Sequence, residues 1–314
     1  MNALKTNLLF VLIAVLLLSA CGGTPATAVL QPTQPPAAVA TATQEPAATA
    51  ESTVPAIAAT EVQPAGCLGS ADKALVDLSC REITIAVENA YLPFNYIALD
   101  TGLPGGWDYE TWNEICTLLH CTPVFTEAAW EGVIQAVSDN QFDVAADGIT
   151  ITAERQEIVD FSIGYIKIQQ RLLVRPGEDR FTSLDEFVTN PELILGTQTG
   201  TTNYETAAKY LPEARIKAFE QYPFAVQALI SKDLDAVILD EVVGLGYQGQ
   251  NQNEVELLGP SISSDELGFI YPKGSDLVEP VNQALEALMK NGTLEKINLK
   301  YFGPDFKLTY DDIK

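Results

Sequence analysis

Residues 130–162 read WEGVIQAVSDNQFDVAADGITITAERQEIVDFS, and the spacing of their apolar residues changes from helical to strand-like and back. Val133, Ile134 and Val137 recur at intervals of three to four, which predicts the buried face of a helix. The FDVAA run that follows has the length of a buried strand. After a Gly/Thr turn, AERQEIV predicts a second helix. Helices that alternate with strands are typical of an α/β fold.

The start of the second helix is a candidate site for a carboxylate. Thr152 is a candidate N-cap, because its hydroxyl can accept from the free amides of the first turn, where Arg155 also lies. Free N–H groups, a hydroxyl and a guanidinium fork together favour a bound carboxylate. An isolated T-x-x-R is more often a simple cap followed by a solvated arginine, so this alternative stays open.

The whole segment resembles a pattern of extracytoplasmic solute-binding proteins (family 3 type) that serve polar amino-acid ABC importers, namely W-x-G-(10 to 12 residues)-D-(3 or 4 residues)-G-x-T-I-T-x-E-R-x-x-x-x-D-F-S. The resemblance extends over roughly residues 81–303. It implies an α/β, two-lobed periplasmic-binding-protein-like (type II) fold, in which each lobe is a sheet flanked by helices. It also implies two crossover strands between the lobes and a ligand in the cleft, beyond the carboxyl ends of the strands.

The resemblance further implies where the lobes lie. Lobe one is expected to hold residues 81–170 and 268–305, and lobe two residues 173–264. The crossovers are expected near residues 169–174 and 265–270.

An internal repeat supports two lobes independently. VIQAVSDNQFDVAAD (133–147) aligns with AVQALISKDLDAVILD (225–240). Each segment predicts an apolar helix, a polar turn, an aspartate and an apolar strand that ends at another aspartate. Two similar α/β units of this kind argue for two lobes.

Size and charge limit the classes of function. The chain has 314 residues, of which about the first 66 do not read as globular; residues 67–80 are a short N-terminal extension. The remainder is long enough for two lobes with cores of their own. The net charge is −24 at pH 7. Because nucleic acid and anionic lipid would repel such a surface, we expect no nucleic-acid partner.

Residues 1–20 resemble a lipoprotein signal peptide. Lys5 supplies positive charge, and LLFVLIAVLLL is an apolar run of 11 residues, too short to span a bilayer. LSAC (18–21) resembles a lipobox, in which the cysteine is lipidated and becomes the first mature residue. Residues 21–66, rich in Ala, Thr and Pro, predict a disordered tether. We therefore expect an extracytoplasmic protein, held to the outer face of the cell membrane by a lipid on Cys21.

Four further cysteines follow, Cys67, Cys80, Cys116 and Cys121. An even number in an exported protein favours disulfides, and of the three pairings we favour the local ones, Cys67–Cys80 and Cys116–Cys121. Cys116, Cys121 and His120 remain an alternative set of metal ligands, although this spacing lacks a second ligand pair. We expect neither a metal nor a cofactor.

A buried amino-acid zwitterion requires donors for its carboxylate and acceptors for its ammonium group. Positions that match the family supply the donors. Arg155 and Thr150, with the backbone amides near Gly148, are expected to hold the carboxylate. Thr201 and Thr202 open a helix in the other lobe and are expected to add donors from that side.

The acceptor and the walls of the site are also implied by the resemblance. Asp240 matches the aspartate that binds the ammonium group in the family, although without that match a helix cap or a surface acid would explain it equally. Tyr91 and Trp130 match aromatic residues of the family's cleft and are expected to sandwich the aliphatic part of the ligand. Aromatic residues at strand ends are also common in ordinary cores.

The charge of the side-chain pocket points to a class of ligand. Glu88 matches a position that often carries an acid in contact with the ligand side chain, and Asp147 adds a second acid beside it. Gln198 is expected to line the same region. Because a buried acid without a partner is costly, these carboxylates favour a cationic ligand such as arginine, lysine or ornithine.

We therefore expect a monomeric binding protein, not an enzyme, that delivers a polar, basic amino acid to an ABC transporter permease. Two alternatives stay open. One is a dehydratase-like enzyme on the same fold, with Glu88 or Asp147 as the general acid or base. The other is a ligand-sensing module that acts through a separate receptor.

Overall fold

The computed structural model describes residues 66–250, 253–303, 305–308 and 312–313. The expected signal peptide, Cys21 and nearly all of the expected tether lie outside the described residues. Within the described part of the chain, no helix is long and apolar enough to cross a membrane.

Helices and strands alternate along most of the described chain, as the sequence predicts. The strands, in chain order, are β1 Glu82–Val87, β2 Ala90–Tyr91, β3 Asn95–Ile97, β4 Pro104–Gly105, β5 Thr122–Glu127, β6 Val144–Ala145, β7 Val159–Phe161, β8 Ile166–Val174, β9 Leu195–Gln198, β10 Ile216–Phe219, β11 Ala236–Asp240, β12 Glu256–Leu267 and β13 Ile270–Pro272. The α-helices are α1 Trp107–Leu119, α2 Val133–Ser138, α3 Ala153–Ile158, α4 Leu184–Thr189, α5 Thr202–Tyr210, α6 Tyr222–Ile230, α7 Glu241–Gln250, α8 Val278–Lys290 and α9 Thr293–Phe302. One 3₁₀ turn occupies Glu213–Arg215.

The first lobe is built on a sheet with the strand order β5-β1-β6-β13-β7. Strand β1 lies between β5 and β6 and parallel to both, and Ile83 and Ile85 of β1 are fully buried. Trp112, Ile115 and Leu119 recur at helical spacing on α1 and are fully buried in the same core. The apolar stripe of α1 therefore anchors this helix to the lobe.

The second lobe is built on a sheet with the order β10-β9-β11-β8-β12, in which β9 lies parallel to β10 and β11. Phe187, Leu195 and Ile238 pack in its core. Strands β2, β3 and β4 form a separate small sheet. Two five-stranded sheets, each with helices packed on it, make the two-lobed α/β architecture that the sequence predicts.

The two crossings between the sheets lie side by side. The chain leaves the first sheet at Phe161 of β7 and enters the second sheet at Ile166 of β8, which pairs with Leu267 of β12. The first change of sheet therefore lies between residues 161 and 166, before the expected crossing near 169–174, because all of β8 belongs to the second sheet. The return follows the end of β12 into β13, over the expected residues 265–270.

Two disulfides lie near the C-terminal end of α1. The structure joins Cys67 to Cys80 and Cys116 to Cys121, which are the local pairings that the sequence favours. Both sulfurs of the alternative metal site around His120 are thus engaged in a disulfide. Cys67 and Cys80 are exposed, whereas Cys116 and Cys121 are fully buried at the end of α1.

We expect peptide mapping of the unreduced protein to find all four cysteines oxidised in these two pairs. Under mild reduction of the folded protein, Cys67 and Cys80 should be alkylated first, because a thiol reagent reaches exposed sulfur more readily than buried sulfur. Free thiols at Cys116 and Cys121, or stoichiometric zinc, would count against this assignment.

Candidate functional site

Strands of both sheets end at one cavity. Glu88 follows β1, Asp147 follows β6, Gln198 ends β9 and Asp240 ends β11. The empty space of the cavity is about 320 Å³, counting the part open to solvent. Its lining includes all eleven residues expected from the sequence and two more: Glu88, Tyr91, Trp130, Asp147, Gly148, Thr150, Arg155, Gln198, Thr201, Thr202, Asn203, Tyr222 and Asp240.

Asn203 and Tyr222 are the two lining residues that sequence reasoning missed. Asn203 lies in the first turn of α5, directly after the two threonines already expected there. Tyr222 is the first residue of α6. Both could have been found by treating every helix start that follows a strand of the second lobe as a part of the cleft.

Arg155 is held in the cavity by its own helix and by both lobes. Thr152 caps α3 by accepting from the Arg155 backbone N–H at 3.1 Å. The guanidinium donates to the carbonyl oxygen of Thr150 at 3.0 Å and to that of Gly200 at 3.3 Å, and it lies 5.5 Å from the ring centroid of Trp130. Only 6 % of the residue is exposed, and no carboxylate of the described residues forms an ion pair with it. Burial lowers the pKa of Arg155, but an arginine remains charged, so the site holds a buried cation suited to an anionic group.

Asp240 is a buried carboxylate with two neutral donors. The Tyr91 hydroxyl donates to Oδ2, and Asn203 Nδ2 donates to Oδ1 at 3.1 Å. Burial raises the pKa of Asp240 to about 6, although these two hydrogen bonds oppose the shift. The ionised carboxylate would accept well from an ammonium group, whose charge would compensate for the burial.

Gly148 makes room for the Tyr91 ring. It has a φ of +57°, and a Cβ on this residue would lie 2.7 Å from a carbon of that ring. A side chain would therefore both strain the backbone and displace Tyr91. Tyr91 in turn stacks on Phe94 and Tyr222, with ring centroids 5.4 Å and 5.9 Å away.

The remaining side of the cavity carries two acids. Glu88 Oε1 accepts from Gln198 Nε2 at 2.9 Å, and Asp147 Oδ1 accepts from Asn95 Nδ2 at 2.7 Å. Burial raises the pKa of Glu88, and the negative charge of Asp147 raises it further; burial also raises the pKa of Asp147. Neither carboxylate has a Lys or Arg partner among the described residues. This side of the cavity therefore favours a positive charge.

Both lobes contribute to the site, and they touch each other there. The hydrogen bonds that cross the cleft join Tyr91 to Asp240, Gln198 to Glu88, Thr150 to Thr202 and Arg155 to Gly200. Thr201 caps α5 by accepting from the backbone N–H of Tyr204 at 3.1 Å. The cavity thus combines a cation, acidic groups and aromatic walls, which are the elements that a small zwitterion requires.

Comparisons with known proteins find similar chains among amino-acid-binding proteins. The chain is 24% identical to the L-cystine-binding protein TcyJ of Escherichia coli (strain K12) over 224 residues, which are 71% of this chain and 83% of that protein. It is 28% identical to the arginine-binding periplasmic protein of Mannheimia haemolytica over 229 residues, 70% of this chain and 90% of that protein. A solved structure of an ancestral arginine-binding protein bound to arginine superposes with a TM-score of 0.66 at 33% identity, over 71% of this chain and 98% of that one.

These relatives are amino-acid-binding proteins and not enzymes. The sequence pattern of the family matches residues 83–304, which span both lobes and every residue of the cavity. The chain therefore belongs to the bacterial extracellular solute-binding proteins, family 3.

Proposed function

We propose that this protein binds a polar, basic amino acid in the cavity and, as a monomer, delivers it to the permease of an ABC importer. One observation carries the proposal. Arg155, Asp240, Glu88 and Asp147 are each at most 6 % exposed, line one cavity and lack an ion-pair partner within the described part of the chain. A basic amino acid carries one negative and two positive charges, and these would compensate the buried groups.

Each charged group of the ligand has a matching group in the cavity. The α-carboxylate would bind Arg155 and the free N–H groups at the start of α5, and the α-ammonium would bind Asp240. The side-chain cation would bind Glu88 and Asp147. A neutral side chain would leave this last pair uncompensated, which supports arginine, lysine or ornithine over glutamine.

The test is a ligand screen of the protein after denaturation and refolding, which removes any bound amino acid. Thermal shift against the twenty amino acids and ornithine should show the largest stabilisation with arginine, lysine or ornithine, because a ligand that binds only the folded state raises its stability. Calorimetry should then rank these above glutamine and detect no binding of glutamate. A preference for glutamate or for a large apolar amino acid would refute the basic specificity.

The affinity for arginine should rise with pH between about pH 6 and pH 9, where the buried acids of the free site titrate. Burial raises the pKa of Glu88 and Asp147, so the free site retains protons above the ordinary carboxyl range. A bound cation stabilises the ionised acids, so binding releases protons and tightens as the pH increases. The affinity for glutamine should depend only on the ionisation of Asp240, whose pKa is about 6. It should therefore stop rising at a lower pH than the affinity for arginine.

Calorimetry at several pH values, in two buffers of different ionisation enthalpy, measures both the affinity and the number of protons released. An arginine affinity that is flat or falls over this range would contradict the assigned roles of the two acids.

We also infer that the mature protein begins at Cys21 and is tethered to the membrane by a lipid on that residue. The LSAC sequence (18–21) after an apolar run of 11 residues supports this. Cys21→Ser should release the protein from membranes or leave the signal peptide uncleaved, whereas Cys67→Ser should leave the anchoring unchanged. Mass spectrometry that finds residue 21 unmodified in the native protein would defeat the inference.

A further inference from the structure

One more buried acid is linked to Asp147 but does not line the cavity. Asp108, in the first turn of α1, has no exposed surface. Asn95 of β3 joins the two acids, because its Nδ2 donates to Asp108 Oδ2 at 2.9 Å and to Asp147 Oδ1 at 2.7 Å. The amide of one asparagine thus connects a cavity residue to a carboxyl group of the core.

The orientation of Asn95 is determined by its three hydrogen bonds. Its Oδ1 accepts from the backbone N–H of Asn89 at 2.7 Å, so a flipped amide would set its NH₂ group against that donor and its oxygen against two carboxyl groups. Asn95 is itself fully buried. The NH₂ group is therefore held between the two acids.

The surroundings of Asp108 favour its protonated form. Its Oδ1 is buried and has no hydrogen-bond partner among the described residues. Burial, with the nearby charge of Asp147, raises the pKa of Asp108 well above the ordinary range. Two ionised carboxylates on one amide would repel each other, so a neutral Asp108 leaves the amide free to stabilise a negative Asp147.

We propose that Asn95 and Asp108 are positioning residues that set the charge selectivity of the ligand site by holding the Asp147 carboxylate against the cavity. The inference rests on the proposed binding of a basic amino acid. Asn95 supplies a donor that favours the ionised form of Asp147, and neutral Asp108 keeps this donor in place without adding a charge. Only a ligand with a cationic side chain gains from an ionised Asp147.

The test is a double-mutant cycle of Asn95→Ala and Asp147→Asn, with the dissociation constants of arginine and glutamine measured by calorimetry. Asn95→Ala alone should weaken arginine binding by about ten- to a hundredfold, the range for a hydrogen bond to a charged group, and should change glutamine binding by less than about threefold. In the Asp147→Asn background it should change arginine binding by less than about threefold, because the charge on which Asn95 acts is gone. Equal losses for both ligands, or additive effects on arginine, would overturn the proposal.

Further variants separate this role from general support of the fold. Asn95→Ser, which keeps a small polar side chain but loses the amide donors, should repeat the selective loss if the alanine variant does not fold. Asp108→Ala removes the acceptor that holds the Asn95 NH₂ group and should lower the affinity for arginine at least about threefold more than the affinity for glutamine; an equal change for both ligands would overturn its assigned part. Asn298→Ala is a matched control. Asn298 lies outside the cavity lining, and its Oδ1 accepts from Trp107 Nε1 at 2.7 Å. This substitution should lower stability but leave the ligand selectivity unchanged.

The two proposals fail in different ways. If the wild-type protein does not prefer arginine, lysine or ornithine to glutamine, the proposed function fails and this inference fails with it. If the preference exists but the Asn95 variants lose both ligands equally, only the positioning role fails.

Discussion

Arg155→Ala should weaken amino-acid binding by roughly thirty- to several-thousand-fold, which corresponds to about 2–5 kcal/mol. The guanidinium is buried, and its partners in the structure are carbonyl oxygens and the Trp130 ring rather than an acid. A bound carboxylate would therefore be its principal anionic partner. Removing Arg155 leaves that carboxylate desolvated without a counter-charge, which is why the expected loss is large.

Calorimetry on the wild-type and variant proteins measures this loss. Arg180→Ala is the matched control, because Arg180 is also an arginine of this chain but pairs with Glu178 and Asp235 outside the cavity. The ligand affinity of the Arg180→Ala variant should stay within about twofold of that of the wild type. A change of less than about fivefold for Arg155→Ala would mean that the carboxylate binds elsewhere.

The combined substitution Glu88→Gln and Asp147→Asn should reverse the ligand preference. Arginine would lose two charged acceptors, each worth about 1.5–3 kcal/mol, so the ratio of arginine to glutamine affinity should fall by about a hundredfold or more. Glutamine should bind more tightly than before, because its neutral side chain no longer leaves a buried charge pair uncompensated. The volume of each side chain is nearly unchanged, so the effect reports charge rather than packing.

The matched control removes two acids elsewhere. Asp185→Asn with Glu192→Gln changes the net charge by the same amount at exposed positions outside the cavity, and it should leave the ratio unchanged. Competition of labelled arginine by glutamine measures the ratio for all three proteins. An unchanged ratio in the Glu88/Asp147 variant would show that these acids do not face the ligand side chain.

Local signals in the sequence predicted much of the fold. The helix Val133–Ser138 lies where its apolar spacing predicts it, and Thr152 caps the helix Ala153–Ile158 as expected. Both follow from interactions within a few residues, namely an apolar stripe at helical spacing and a hydroxyl beside free amides. The first crossover was placed too late, because the point where a strand passes from one sheet to another depends on its partners, which are distant in the chain.

The sequence by itself predicted the alternation of helices and strands, and its resemblance to the family predicted the two lobes and the eleven residues that line the cavity. Helix starts and strand ends are local features, and the parallel strands of a sheet bring their ends together. Only the tertiary structure decided which of these groups meet. Tyr91 donates to Asp240 across 149 positions, and Asn95 joins Asp108 to Asp147 in a buried network that no spacing in the chain indicates. The protonation of the acids likewise depends on burial and on neighbouring charge, which come from packing the two lobes together rather than from the local sequence.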